Sequence, residues 1–203
     1  MRKSRIQSSK DNKKSKSTGS IRIIAGKHRG RKLPVLMADG LRPTTDRVKE
    51  TVFNWLMPYI NQSHCLDCFA GAGSLGFEAF SRNAAQVTLV ELDKSAAQQL
   101  RQNKELLKAD NINIFHQDAI SFLSSSVSAT FDLVFIDPPF RKNLVEQTCI
   151  LLTNGWLKED ALIYIEMESE NSQLSLPNNW SLLKEKIAGQ VSYRLYQYNA
   201  KSL

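Results

Sequence analysis

The sequence predicts an α/β protein built on a mostly parallel seven-stranded sheet, and three observations carry that prediction. From residue 64 onward, short apolar runs rich in β-branched residues alternate with longer stretches of helical periodicity. A glycine-rich turn, Gly71-Ala72-Gly73-Ser74-Leu75-Gly76, lies between the first such run and a helical one, the context a G-x-G-x-x-G turn requires. The last two apolar runs are separated only by Ala188-Gly189-Gln190. They therefore read as an antiparallel hairpin closing the sheet at its C-terminal end.

The elements follow in order. Residues 1–19 are rich in Lys and Ser, with Met1 and Ile6 their only strongly apolar side chains. Such a segment cannot bury enough surface to fold, so a disordered basic tail is expected. Ile21–Ala25 and Lys32–Leu36 read as two short strands joined by the basic turn Gly26-Lys27-His28-Arg29-Gly30-Arg31. Thr44 or Thr45 can cap a helix reaching about Pro58, with Val48, Val52, Phe53 and Leu56 on one face. Together these make a small N-terminal β-hairpin and helix over residues 20–60. The main domain, 61–203, then runs strand 64–69, glycine turn and helix to Ser81, strand 86–91, helix 94–108, strand 112–116, short helix 120–123, strand 131–136, helix 143–152, strand 161–167, and the strands 180–187 and 191–198.

Charge is distributed unevenly. Residues 1–19 carry seven basic and one acidic residue and residues 20–47 seven basic and two acidic, whereas residues 48–203 have a net charge of −4 within an overall +7. A positive block of this kind is the electrostatic footprint of a polyanion-binding segment. Lys27, His28, Arg29, Arg31 and Lys32 in the turn, with Arg42 and Arg47 further on, are the candidate phosphate-facing side chains. No apolar run approaches the roughly 20 residues of a membrane-spanning helix, so no membrane association is expected. The three cysteines are too few for a disulfide framework. Cys65 and Cys68 fall on a strand, where residues three apart point to opposite faces and cannot chelate together. The three histidines match no ligand spacing, so no metal is expected. A reducing, cytoplasmic setting follows as the default.

Two motifs carry the chemistry. Asp67-Cys68-Phe69-Ala70-Gly71 leads from the first main-domain strand into the glycine turn. Gly71, Gly73 and Gly76 permit a tight turn and close approach of a ligand to the backbone. Glu91 ends the next strand, where a carboxylate can accept from both ribose hydroxyls of a nucleoside cofactor. These features leave NAD and S-adenosylmethionine both open. Asp118, followed by Ala119, either accepts from a cofactor adenine amine or caps the helix after it.

The second motif, Asp137-Pro138-Pro139-Phe140, follows the apolar strand 131–136. Ligands of open parallel sheets bind outside the carboxyl ends of the strands. The prolines rigidify the backbone and remove two N–H donors. Asp137 and the Pro138 carbonyl can then accept both hydrogens of an exocyclic amine, while Phe140 offers a stacking face. That arrangement suits transfer of a methyl group from S-adenosylmethionine to a base amine, giving S-adenosylhomocysteine, and has no use in a dehydrogenase. Other readings are a DNA or protein amino-methyltransferase with the same motif, a nucleotide-binding oxidoreductase, or a non-catalytic RNA-binding module.

These residues, together with Arg22–Lys27, Arg29–Pro34, Leu41-Arg42-Pro43-Thr44-Thr45-Asp46-Arg47-Val48-Lys49-Glu50, Phe53–Leu56, Asn154–Leu157 and Ala188–Val191, resemble the RsmD family of bacterial enzymes that methylate the N2 amine of one guanine in 16S ribosomal RNA. His28 departs from the family, which often has Trp there. The resemblance implies a Rossmann-like class I methyltransferase fold and a substrate of 16S rRNA within a protein-bound small-subunit assembly. It also implies that the segment Arg42–Arg47, Thr45 included, lies over the active site near the cofactor's methionine end. A monomer is expected.

Overall fold

The computed structural model describes residues 18–36, 46–139, 144–169 and 174–200. The chain forms strands β1 (Thr18–Arg22) and β2 (Lys32–Leu36), helix α1 (Asp46–Leu56), β3 (His64–Asp67), α2 (Ser74–Ser81), β4 (Gln86–Glu91), α3 (Lys94–Leu107) and β5 (Ile112–His116). It continues through α4 (Ala119–Leu123), β6 (Phe131–Ile136), α5 (Leu144–Leu152), β7 (Leu157–Glu168), β8 (Trp180–Ala188) and β9 (Val191–Tyr198). The main sheet has the order β5-β4-β3-β6-β7-β9-β8. Its first five members are parallel and β9 runs antiparallel to both neighbours. The chain winds outward from β3 to β5, then crosses back to place β6 on the other side of β3. The crevice between β3 and β6 is thus the topological switch point, where open α/β sheets bind ligands.

Both faces of the sheet are covered. One carries α1, α2, α3 and the β1–β2 hairpin, which share a single core of Ile21, Leu33, Phe53, Leu75, Leu100 and Phe135 among others. The opposite face carries α4 and α5 around Phe122, Cys149, Val134 and the buried Trp156, whose indole N–H donates to the Leu123 carbonyl at 3.0 Å. Cys65 packs in the first core and Cys68 in the second, as strand alternation requires. Burial pushes the Cys65 thiol up to about 12 and raises that of Cys68, so both are inert packing groups. Among the described residues no helix is long and apolar enough to cross a membrane.

β3 stops at Asp67, two residues short of the expectation, and β8 runs one residue longer; β1 and β7 differ more, each for a local reason. β1 lies upstream of the expected 21–25, and Thr18 and Gly19 pair with Leu36 and Val35 rather than belonging to the tail. The N–H groups of Ile24 and Ala25 leave the ladder because they donate to the Glu78 carboxylate of α2, at 2.8 and 3.0 Å. β7 begins at Leu157 rather than 161, since Leu157 already pairs with Phe131 before an irregularity in the ladder, and Asp160 turns through φ 62° there. Helix α1 stops at Leu56, ahead of Pro58, because a residue before proline avoids the helical region.

Candidate active site

The glycine turn is fixed from beneath. Asp67 ends β3 only 2% exposed and accepts from the backbone N–H groups of Gly76 and Phe69. Burial pushes its carboxyl up to about 7, the two N–H donors oppose the shift, and the charge of Glu91 adds to it. Gly71 and Gly73 both adopt positive φ, and Gly73 N–H donates to Ala70 O at 2.6 Å. The third glycine, expected in the turn, lies inside α2. A Cβ on Gly76 would stand 2.2 Å from Leu89 Cδ2 of β4, so its role is close helix–sheet packing. Flanking strands hold the turn laterally: Cys68 N–H donates to Phe135 O and Ala70 N–H to Val90 O.

Glu91, at the end of β4, reaches back across the crevice. One carboxylate oxygen accepts from Gly71 N–H at 2.6 Å and the other from Asp93 N–H at 2.7 Å. Each oxygen keeps a second lone pair that can take a ribose hydroxyl. Gln117 N–H donates to Glu91 O, so the Asp118 turn sits beside it. The Asp118 side chain caps α4, accepting from Ser121 N–H at 2.9 Å, and Ala119 is buried beneath. A cleft beside the turn is lined by Gly71, Ala72 and Gln99 together with Val35 and Leu36 of the hairpin. Ser74 Oγ is buried with no hydrogen-bond partner among the described residues. The N–H groups of the glycine turn, the Glu91 carboxylate bound to Gly71 N–H and the orphaned Ser74 hydroxyl, all at the carboxyl ends of β3 and β4, fit a nucleoside cofactor with a charged amino-acid end.

On the other side of the switch point β6 is followed by Asp137, half-buried, Pro138, buried, and Pro139, exposed. This turn stands at the same carboxyl end of the sheet as Gly71 and Glu91. Phe140, Arg42 and Thr45 lie outside the described residues, as does the expected tail apart from its last two positions. Arg47 is exposed in the first turn of α1.

The basic turn is divided between contact and anchorage. Lys27, Arg29 and Lys32 are exposed. The exposed Arg31 reaches the Leu106 carbonyl at 3.1 Å. His28 points inward: its ring stacks on Phe80 with centroids 5.2 Å apart and planes 20° apart. Burial, then the charges of Lys27 and Arg31, lower its pKa.

Sequence reasoning missed the residues that bind this turn to the main domain. Glu78, fully buried in α2, accepts from Ile24 N–H, Ala25 N–H and Arg82 Nε and lies 3.8 Å from the buried Lys49 Nζ of α1. Lys49 in turn donates to Arg22 O. Ser81 Oγ donates to Ala25 O at 2.6 Å and accepts from His28 N–H at 2.9 Å. Tyr164 and Glu166, buried at the C-terminal half of β7 and joined by a 2.9 Å hydrogen bond, were also missed. The available signal was a single carboxylate inside an apolar run, in Leu75–Phe80 and again in Leu162–Met167.

A family model described as "Conserved hypothetical protein 95" matches residues 21–197. The chain is 56% identical over 185 residues to a ribosomal RNA small subunit methyltransferase D of Escherichia coli K12, covering 91% of this chain and 93% of that one. It is 58% identical over 183 residues to the protein of the same name from Haemophilus influenzae, covering 88% and 94%. A solved structure described as a putative methyltransferase, yhhF, from Escherichia coli superposes with a TM-score of 0.83 at 52% identity, over 90% of this chain and 100% of that one.

Proposed function

The chain belongs to the family described as Conserved hypothetical protein 95, the RsmD family, and from that premise we propose that it methylates the exocyclic N2 amine of one guanine in 16S ribosomal RNA. The observation that carries this reading is the Asp137-Pro138-Pro139 turn at the carboxyl end of β6, across the switch point from Gly71 and Glu91. S-adenosylmethionine, held by the turn around Gly71 and Gly73 and by Glu91, supplies an already activated methyl group.

The chain's own residues do the rest. An exocyclic amine is a poor nucleophile because its lone pair is delocalised into the ring. Asp137 and the Pro138 carbonyl accept hydrogen bonds from its two N–H groups, hold the nitrogen toward the cofactor and favour the localised lone pair; once the nitrogen has taken the methyl group from sulfur, its extra proton leaves through Asp137 or to water. Phe140 stacks on the base. Positioning of this kind can supply roughly 7–11 kcal/mol of a barrier. The target must be an unpaired or flipped nucleotide, since the amine is out of reach in a stack. The exposed cations Lys27, Arg29 and Lys32, with Arg42 and Arg47, meet the RNA phosphates. The names of the relatives support a small-subunit substrate, and the basic block before residue 48 suits a polyanion; that the RNA is met in the cytoplasm, already bound by ribosomal proteins, is part of the same proposal.

The test is transfer of labelled methyl from S-adenosylmethionine to small-subunit RNA, free and in particles, by the wild type and Asp137→Ala. The variant should bind the cofactor normally and lose about 10²–10³-fold in kcat, the usual cost of removing one preorganised polar group aimed at developing charge. Full transfer by Asp137→Ala would remove the carboxylate from the mechanism. Labelling of DNA or protein instead of RNA would give the motif another substrate.

A further inference from the structure

We infer that Glu166 is the residue that selects guanine, by accepting from the N1–H that flanks the amine being methylated. This rests on the reading above of an amine-directed nucleic-acid methyltransferase. Asp137 and Pro138 cannot select the base. They accept from an exocyclic amine, and adenine, cytosine and guanine all have one. The three bases differ in what lies beside that amine. In adenine and cytosine the amine is flanked on its Watson–Crick side by a ring nitrogen lone pair. In guanine it is flanked by N1–H, a donor. A second acceptor next to Asp137 therefore pairs with guanine and is repelled by the other two.

The structure puts a carboxylate at that place. β6 and β7 are parallel, with Phe135 opposite Tyr164 and Ile136 opposite Ile165. That is the last pair of the ladder; carried one residue further, the same register sets Asp137, just past the end of β6, beside Glu166, with neighbouring strands about 4.8 Å apart. Strand alternation puts both on the face that carries Phe135 and Tyr164, whose rings meet edge to face at 6.3 Å. The charges of Glu166 and Asp137 both act on the Tyr164 hydroxyl, which places all three groups together. Glu166 is 8% exposed, at the sheet edge where the target base must enter. The Tyr164 hydroxyl donates to Glu166 Oε2, so it orients the carboxylate. Across the sheet Tyr193 pairs with Glu166 and closes the far side. A buried carboxylate inside the apolar run Leu162–Met167 has a cost, and a donor from the substrate offsets it.

The probe is small-subunit RNA carrying either guanine or 2-aminopurine at the methylated position. Both bases have the 2-amino group, but 2-aminopurine presents a lone pair at N1. The wild type should prefer guanine by roughly 10- to 100-fold in kcat/KM, the cost of a lost hydrogen bond to a charged group. In Glu166→Gln the ratio should collapse toward one, because an amide can donate to N1 as well as accept from N1–H, while affinity for S-adenosylmethionine stays unchanged. Tyr164→Phe, which keeps the ring and removes the orienting hydroxyl, should lower the ratio part of the way. Equal wild-type rates on the two RNAs would overturn the assignment without any variant, and so would a wild-type ratio in Glu166→Gln. Failure of the wild type to methylate the guanine RNA at all would instead refute the function proposed above.

Discussion

Asp67 shows how one buried group can tie the site to pH. Its carboxyl is raised to about 7 in the folded chain against 3.8 when unperturbed, chiefly by burial. A folded-state pKa above the unfolded one means that the native state binds the proton more tightly. The stabilisation is present in full below about pH 4 and is lost as pH rises through about 7. His28 has the opposite sign, because its pKa is lowered, so a raw stability curve mixes the two. The difference between wild type and Asp67→Asn isolates the carboxylate. Urea denaturation from pH 4 to 8 should show the wild type losing on the order of a few kcal/mol relative to the variant as pH rises. A difference that stays constant with pH would mean that Asp67 titrates normally despite its burial. The residue was legible as part of the motif around the glycine turn, but its burial was not. Sequence spacing marks it as the last residue of a strand, while its burial depends on α2 passing close over it, which Gly76 makes possible.

At the scale of elements, the hairpin is held to the main domain by buried charge rather than by strand pairing. Glu78 gathers two backbone donors, Arg82 and the nearby Lys49. Glu78→Gln leaves Lys49, whose pKa burial already lowers against the pull of Glu78, without its buried counter-charge. Breaking such a pair from one side typically costs about 3–5 kcal/mol. Chemical denaturation should register that loss, and trypsin should cleave faster between Lys27 and Lys32. Unaltered cleavage would show that the hairpin is held by its apolar contacts alone. Gly26→Ala should act at the same joint. Its Cβ would fall 1.9 Å from the Ser81 carbonyl oxygen, at a φ of +77°, and backbone cannot move aside as a side chain can. Here the sequence was only partly readable. The strands 32–36, 86–91, 112–116, 131–136 and 191–198 are where their apolar alternation puts them, because that signal is local. β1 is not, because its end is set by a carboxylate 54 residues away. The chemistry divides the same way. Asp137-Pro138-Pro139 is contiguous and could be read as a motif. Glu166 comes near the end of β6 only once β6 and β7 pair, and no spacing in the sequence announces that.

Over the whole molecule the charge is polarised: the segment before residue 48 is strongly basic and the remainder has a net charge of −4. The hairpin turns this into a surface, since Lys27, Arg29 and Lys32 are exposed around a turn held rigid by Ser81, Glu78 and the His28–Phe80 stack. The same hairpin lines the cleft beside Gly71 through Val35 and Leu36. On the proposed reading, a phosphate contact at the turn would fix the distance from the RNA backbone to the reacting amine, and the positive charge would act as a ruler as well as an attractor. Each phosphate neutralised adds about 0.7–0.9 to the slope of log affinity against log salt. Replacing Lys27, Arg29 and Lys32 together with Gln should lower that slope by about 2 and leave S-adenosylmethionine binding untouched. If the cations only attract RNA, saturating RNA should restore full kcat in the triple variant. If they also set the register, kcat should stay depressed at saturation and methylation should spread to neighbouring guanines. Salt titration of RNA binding, with mapping of the methylated nucleotides, separates these outcomes, and an unchanged slope would move the RNA contact away from the hairpin.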